Sequence, residues 1–394
     1  MFNRKLVFAA ACLGMLVFGV VLTSLGALLP SLIERFGIGK ANAGSLLTTM
    51  SVGILVGSLF FGPLADRYGY KGILLLSLAL VLVGLEGIAF APSLPWLRLS
   101  IVLVGLGGGV INGGTNAVVS DTSDEGRGAW LSLLGVFFGV GAVGVPFAMG
   151  FLLDVVSYPT LVAALGAVVA GPLLFTAALR FPQPKQAQGF PLRQGLRLTG
   201  DRMLLLLGLM LFLESGMEIT VGGWTTTFYQ EQMGMAGNRA LFFLSLFWLG
   251  MMLARLLLGT VFSRVPGTVV LPGFIALAFL GSLAMIASPS LPLAATGTFL
   301  IGAGFAAAFP VVLGLVGDRY TALSGTAFSI VFVMALTGGS LLPYLTGVLG
   351  AEYGMRGSLL VVPACLVLQL ALLVVVLRRS TAVPVTTLPA QGGA

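Results

Sequence analysis

The sequence predicts an all-α membrane protein with twelve transmembrane helices arranged in two pseudo-symmetric six-helix bundles. Hydrophobic residues make up 58% of the chain and charged residues 8%, against about 25% charged residues in an ordinary soluble domain. The chain also contains twelve apolar runs of about the 20 residues needed to cross a bilayer. In addition, the second half of the sequence repeats features of the first half.

The apolar runs fall into two groups of six. The first group covers residues 6–30, 42–64, 72–92, 97–120, 129–153 and 160–179, and the second covers 203–229, 240–262, 269–287, 293–316, 322–345 and 358–377. We therefore predict an N-terminal bundle over 1–180, a basic cytoplasmic linker over 181–202 and a C-terminal bundle over 203–379. The tail over 380–394 is rich in Pro, Thr, Ala and Gly and is expected to be disordered.

The internal repeat has a period of 197 residues, half of the 394-residue chain. The sequence P-S-L-P at residues 92–95 recurs at 289–292. With the same offset, Asp121 corresponds to Asp318 and Pro146 to Pro343. Because glycine is frequent here, the proline and aspartate matches are more informative than the glycine matches. The repeat predicts a duplicated bundle.

The distribution of basic residues predicts the orientation in the membrane. Twelve spans place both termini on one side, and cytoplasmic loops carry an excess of Lys and Arg. With the termini inside, fifteen of the 20 Lys and Arg residues fall on the cytoplasmic side. We expect a multi-pass inner-membrane protein with both termini in the cytoplasm. The net charge of +7 does not indicate nucleic-acid binding, because the basic residues lie in loops rather than in a patch.

Several kinds of site are excluded by composition. The chain has no histidine, which removes histidine triads, histidine metal sites and histidine proton relays. Cys12 and Cys365 lie in apolar spans of opposite halves, so a disulfide framework is not expected. No pairing of nucleophile and base stands out, and we expect neither enzymatic activity nor a bound cofactor or metal.

Two carboxylates lie within the seventh predicted span. An acid at a helix centre costs about 2.5 to 3.5 kcal/mol on insertion scales. Glu214 and Glu218 are four residues apart and share one helix face, so we expect them to face protein or a water-filled cavity. They could accept substrate and couple protons, with Glu218 favoured because Gly222, Gly223 and Trp224 follow it. A structural hydrogen bond between helices is the alternative.

Further candidates for substrate binding lie in other positions of the spans. Asn112 and Asn116 are one helical turn apart in the fourth span, and their amides could bind hydroxyl groups or join neighbouring helices. Trp224 could stack on a sugar face or pack in the core. Asp121 with Arg127, and Asp318 with Arg319, close the fourth and tenth spans and are expected to form ionic locks between helices.

Residues 62–71 form a charged, glycine-containing segment between the second and third spans, which we expect to be a turn. Its pattern, G-x-L-x-D-R-x-G-x-K, resembles the corresponding loop of the major facilitator superfamily. The resemblance implies a monomer with two bundles around a central cavity, rocking between outward-open and inward-open states. It also implies that Asp66, Arg67 and Lys71 help to hold the cytoplasmic gate.

Three further stretches resemble the fucose and glucose proton symporters and their animal sugar-transporter relatives. They are G-G-T-N-A at 113–117, F-F-G-V-G at 137–141 and Glu218 with G-G-W at 222–224. The resemblance implies transport of a monosaccharide such as a hexose, and it adds Phe137 to the substrate-binding candidates.

The chain departs from the fucose symporter at the proton-coupling positions. That symporter relies on acids in its first and fourth helices, whereas this chain has asparagines in the fourth helix and Thr23, a further substrate-binding candidate, in the first. Proton coupling would therefore depend on Glu218, with Glu214, unless transport is uniport. An efflux antiporter for drugs or lipids is the alternative function, and the Phe-rich and Met-rich spans favour it.

Overall fold

The computed structural model describes residues 2–122, 127–182, 198–261, 265–320 and 324–381. These residues contain twelve helices long and apolar enough to cross a membrane. We number them spans 1 to 12: Arg4–Phe36, Lys40–Phe61, Tyr68–Ala89, Leu94–Val119, Leu133–Leu152, Tyr158–Ala178, Arg202–Met233, Gly237–Thr260, Gly267–Ala287, Leu291–Arg319, Ile330–Ser358 and Val361–Arg379. The predicted all-α fold class is confirmed. Most of the predicted linker and nearly all of the predicted tail lie outside the described residues.

The chain changes direction within residues 62–71, between spans 2 and 3, where the sequence predicts a turn. Helix runs from Lys40 to Ala89, and inside it Gly69 alone has a non-helical backbone, with φ at +77°. Glycine reaches this region of backbone conformation without a steric penalty because it has no Cβ. The chain direction therefore changes at a single glycine. Gly354 interrupts the helix Ser324–Ser358 in the same way, with φ at +72°.

The pseudo-symmetry predicted from the repeat is visible in how the helices pack and end. Spans 1 and 7 both end at a left-handed glycine, Gly37 and Gly234, which are 197 residues apart. Spans 2 and 4 approach each other so closely that a Cβ on a glycine of one helix would crowd a backbone carbonyl of the other, and spans 8 and 10 repeat this packing. The four close approaches are Gly53 to Val102, Gly105 to Met50, Gly250 to Phe299 and Gly302 to Phe247. Small residues at such crossings let membrane helices pack backbone to backbone.

Within the described residues, the two halves meet mainly along spans 1 with 7, 2 with 11, and 5 with 8, and spans 1 and 8 touch at fewer positions. We call the side on which span 1 begins and span 12 ends the terminal side, and the opposite side the distal side. In the part of the chain that the structure describes, several hydrogen bonds between the halves lie between the middle of the spans and their distal ends. They join Thr48 to the Ser340 carbonyl at 2.7 Å, Ser51 to the Gly339 carbonyl at 3.0 Å, Lys40 to Glu231 and to the Gly350 carbonyl, and Asn238 to Asp154.

Distal closure also brings two glycines of opposite halves together. A Cβ on Gly26 of span 1 would collide with the carbonyl oxygen of Gly222 in span 7. Tyr70 bonds Asp121 and Lys71 bonds the Ala177 carbonyl on the terminal side, and both of these contacts stay within the first half. The structure is therefore closed on its distal side.

Candidate functional site

The two carboxylates of span 7 face protein, as the sequence predicts. Glu214 is 1% exposed, and its Oε2 accepts a hydrogen bond of 2.8 Å from Nε2 of Gln369 in span 12. Among the described residues, its other oxygen has no hydrogen-bond partner. Glu218 lies one helical turn closer to the distal side and is half-buried. The pair thus combines a buried carboxylate with a more accessible one.

Arg255 of span 8 completes this charged group, and sequence reasoning missed it. Its guanidinium interacts electrostatically with both Glu214 and Glu218. It also lies 6.0 Å from the centroid of the Phe138 ring. Arg255 lies inside the predicted span 240–262 and not in a loop. An arginine within an apolar span is costly unless it has a partner, and this was the signal that could have identified it.

The aromatic ring beside this charged group is Phe138. Its centroid lies 5.7 Å from that of Phe18 in span 1 and 5.9 Å from that of Trp248 in span 8. The sequence analysis selected the neighbouring Phe137, which is half-buried and packs against the hydrophobic core. A contact between Phe137 and substrate stays a prediction.

Asn112 and Asn116 lie on the stripe of span 4 that points between spans 1 and 2. Residues 111 and 115 on one side of this stripe pack near Gly14 of span 1, and residues 109 and 113 on the other side pack on span 2. Because spans 1 and 2 both contact the second half, we expect the stripe to face the interface between the halves. Asn116 donates to the carbonyl and the side-chain oxygen of Asn112 at 2.8 and 3.2 Å. Both residues are half-buried, so unused donor and acceptor positions remain accessible.

Trp224 and Thr23 have protein partners in this conformation. Trp224 is fully buried, and its indole N–H donates to the carbonyl of Pro343 at 3.0 Å. The Thr23 hydroxyl is buried and donates to the carbonyl of Gly19 at 3.0 Å. Their roles in substrate binding stay predictions.

The predicted gating residues form contacts within each half on the terminal side. Lys71 donates to the Ala177 carbonyl at the end of span 6, at 2.7 Å, and Asp121 accepts from Tyr70. Asp318 and Arg319 are exposed at the end of span 10. The side chains of Asp66, Arg67 and Arg127 lie outside the described residues. A lock formed by these residues stays a prediction.

Asp201 joins spans 7 and 10 at the terminal side. Its carboxylate caps span 7 by accepting from the backbone N–H of Met203 and Leu204, and it also accepts from the Tyr320 hydroxyl at 2.8 Å. Burial alone would raise the pKa of Asp201, but these hydrogen bonds and the charge of Arg319 lower it below the usual value. Burial and the bond to Asp201 raise the pKa of Tyr320 to about 12.

Two cavities lie along the interface between the halves. A vestibule of about 760 Å³ opens on the distal side, with Glu34, Asp154, Gln230 and Glu231 among its lining residues. A small chamber of about 20 Å³ lies between spans 1, 2, 7 and 8 and is lined by Gly26, Gly222 and Trp248 among others. The Gly26 and Gly222 contact that closes the distal side therefore forms part of the chamber wall.

Twelve spans in two related halves, with charged and amide side chains at their interface, define a multi-pass membrane transporter rather than an enzyme. The chain belongs to the major facilitator superfamily, whose family model matches residues 11–321.

Several known proteins are similar to this chain. The uncharacterized transporter y4wD of Sinorhizobium fredii is 26% identical over 346 residues, which cover 87% of this chain and 91% of that protein. The glucose/mannose transporter GlcP of Bacillus subtilis is 25% identical over 342 residues, 84% of each chain. The multi-drug resistance efflux pump PmrA of Streptococcus pneumoniae is 25% identical over 173 residues, covering 43% of this chain and 42% of the pump.

A solved structure shows the same fold. It is a bacterial homolog of the human lysosomal transporter Spinster, in an inward-facing and unoccupied conformation. The TM-score is 0.79 at 16% sequence identity, and the alignment covers 95% of this chain and 97% of that chain.

Proposed function

We propose that this protein transports a monosaccharide such as a hexose across the inner membrane by alternating access, as a monomer with both termini in the cytoplasm. The observation that carries the proposal is the set of polar groups at the interface between the halves. Asn112 and Asn116 offer amide groups from the first half, and Glu218 and Arg255 offer charged groups from the second. The similarity to a glucose/mannose transporter supports the same substrate class.

These groups suit a ligand with many hydroxyl groups. Each sugar hydroxyl donates one hydrogen bond and accepts others, and amides present both donors and acceptors. Carboxylates accept only, and a guanidinium donates only, so Glu218 and Arg255 complement the amides. The Phe138 ring beside Arg255 supplies an apolar face against which a sugar ring can pack.

The contacts between the halves on the distal side support alternating access. With the termini in the cytoplasm, the distal side is the outside, and the contacts between the halves close the path on that side. To reach the outward-facing state, the halves would separate along spans 1 and 7, 2 and 11, and 5 and 8. The predicted gating residues on the terminal side would then approach their opposite half.

Glu218 and Glu214 are the proposed proton-coupling residues. Removing water from a carboxyl group destabilises its charged form. Loss of water access therefore favours uptake of a proton, and renewed access favours its release. Glu218 is half-buried, whereas Glu214 is buried and accepts a hydrogen bond from Gln369, so Glu218 is the proposed site of proton exchange. Arg255 provides the counter-charge while the carboxylates are ionised.

Uptake of D-glucose into proteoliposomes tests both the substrate and the coupling. The wild-type protein should accumulate glucose when a pH gradient is imposed. Glu218→Gln should keep glucose counterflow, which needs no gradient, but lose pH-driven accumulation. Glu86→Gln is the matched control, because Glu86 lies in span 3 against Gly166 of span 6 and away from the proposed site. Accumulation that is unchanged in Glu218→Gln would remove this residue from the coupling mechanism.

Efflux of apolar drugs or lipids is the second candidate function. The rings of Phe18, Phe138 and Trp248 form a continuous aromatic surface beside the charged group, which suits an apolar ligand. The similarity to the efflux pump PmrA also favours it. Two results together would favour efflux over sugar transport. Apolar cations would compete with one another for binding, and D-glucose would not raise the melting temperature of the protein.

A further inference from the structure

Trp248 carries a buried hydrogen-bond donor without a partner. Its side chain is 3% exposed, and among the described residues no acceptor lies within hydrogen-bonding reach of its indole N–H. An unsatisfied buried donor costs about 1 to 3 kcal/mol, and such groups are rare in native proteins. The indole N–H of Trp248 therefore requires an acceptor that the protein chain does not supply in this conformation.

The chamber described above adjoins the N–H edge of this indole. If Gly222 carried a Cβ, that atom would lie 3.3 Å from Cζ2 of Trp248 and 4.0 Å from Cε2, the carbon bonded to Nε1. The N–H edge of the ring thus faces Gly222, and both residues line the chamber. The Trp248 N–H group that has no acceptor in the protein therefore adjoins the chamber.

The size and chemistry of the chamber limit what can enter it. Its volume is about 20 Å³, whereas one water molecule needs about 10 to 15 Å³, so the chamber holds one small group and not a ring. The described residues that line it carry no charge, and Ser51 supplies the one side-chain hydroxyl. That hydroxyl donates to the Gly339 carbonyl at 3.0 Å and can still accept a hydrogen bond.

We propose that this chamber is a binding subsite for a single hydroxyl group of a neutral sugar, which accepts a hydrogen bond from Trp248. The inference rests on the proposed sugar transport and deepens it by assigning the donor. Trp248 also contacts Phe138 ring to edge, so the subsite is continuous with the aromatic and charged groups of the central site. The sugar ring would lie outside the chamber and insert one substituent into it.

The subsite assigns a role to Trp248 that the sequence suggested for Trp224. The indole N–H of Trp224 already donates to Pro343, whereas that of Trp248 does not bond the protein. Both tryptophans are buried in the second half, so burial does not distinguish them. They differ in whether the indole N–H has a hydrogen-bond partner in the protein.

Binding of D-glucose and its five monodeoxy analogues to the purified full-length protein tests the proposal. In the wild type, one analogue should bind about three- to tenfold more weakly than glucose, because it lacks the hydroxyl that Trp248 contacts. Trp248→Phe keeps an aromatic ring but deletes the N–H. It should weaken glucose binding by a similar factor while binding that same analogue as the wild type does.

A second variant tests whether the chamber must be free to accept a hydroxyl group, while the Trp248 N–H donor is kept. Gly222→Ala places a methyl group in the chamber and leaves the indole N–H intact, and it should weaken glucose binding more than binding of the same analogue. Trp96→Phe is the matched control, because Trp96 is 51% exposed and lies outside the site. Melting temperatures of all variants show whether each protein is folded.

The outcomes separate the subsite from the proposed function. A wild-type protein that binds no glucose overturns both. A wild-type protein that binds glucose overturns the subsite alone if Trp248→Phe binds glucose and all analogues as the wild type does. The subsite is also overturned if Trp224→Phe, and not Trp248→Phe, removes the discrimination between glucose and one analogue.

Discussion

Lys40 of span 2 lies 2.9 Å from the carboxylate of Glu231 at the distal end of span 7, so the first half of the chain is bound to the second by an ion pair. Lys40 also donates to the carbonyl of Gly350, near the distal end of span 11, at 3.1 Å. One side chain thus holds two helices of the opposite half. Because the two side chains are 24% and 34% exposed, solvent weakens the pair.

Glu231→Gln is therefore expected to destabilise distal closure modestly. Exposed ion pairs contribute about 0.2 to 1 kcal/mol, so the distal-open population should rise by up to about fivefold. A cysteine introduced at Leu47, which is buried beneath the closure, would report this change through its labelling by a membrane-impermeant maleimide. Exchanging the charges, with Lys40→Glu and Glu231→Lys together, should return labelling towards the wild-type level. Equal labelling in wild type and Glu231→Gln would exclude the ion pair as a closing contact.

Gly26→Ala is expected to impair transport by preventing distal closure. Its Cβ would collide with the Gly222 carbonyl oxygen, which belongs to a helix backbone and cannot rotate away. Overpacking costs about 1 to 3 kcal/mol, so we expect glucose counterflow to slow by about tenfold. Gly144→Ala is the control, since no atom lies within 4 Å of the corresponding position. Normal counterflow in Gly26→Ala would mean that spans 1 and 7 need not meet at this glycine.

Gln369→Leu is expected to destabilise the second half. The substitution removes the hydrogen-bond donor of the buried Glu214 carboxyl group, which should lower the free energy of unfolding by about 1 to 3 kcal/mol. A double variant with leucine at both positions should recover much of the loss, because an apolar pair needs no partner. Denaturation of purified protein in detergent measures both effects. A single variant as stable as the wild type would contradict the assignment.

The pKa of Asp201 predicts an acid-sensitive contact between spans 7 and 10. Because folding lowers this pKa, its stabilising contribution is complete above the unfolded value of about 3.9 and is lost as the pH falls further through the folded value. Asp201→Asn keeps an acceptor for the helix cap but has no charge to titrate.

The melting temperature of the Asp201→Asn variant should consequently depend less on pH below about 4 than that of the wild type. Tyr320→Phe should also reduce this dependence, because it removes one of the hydrogen bonds that lower the pKa. Melting curves recorded across this pH range for the three proteins make the comparison. Identical pH profiles would show that Asp201 does not contribute to acid stability.

Several site residues could be predicted from the sequence because the membrane makes polar groups conspicuous. Glu214 and Glu218 are acids in an apolar run, and the four-residue spacing of Asn112 and Asn116 places them on one helix face. The sequence did not show that Phe138, rather than its neighbour Phe137, is the ring beside Arg255. Adjacent residues on a helix differ in direction by about 100°, so the rotation of each helix decides which one faces the interior.

By itself, the sequence determined the number of spans, their duplication with an offset of 197 residues and the family, because hydropathy and repeated residues are properties of the chain alone. Only the tertiary structure decided that Arg255 joins Glu214 and Glu218, that Trp224 has a hydrogen-bond partner and that Trp248 does not. It also decided which side of the molecule is closed. These features depend on contacts between distant spans, which form only when the helices pack in one orientation and one conformation.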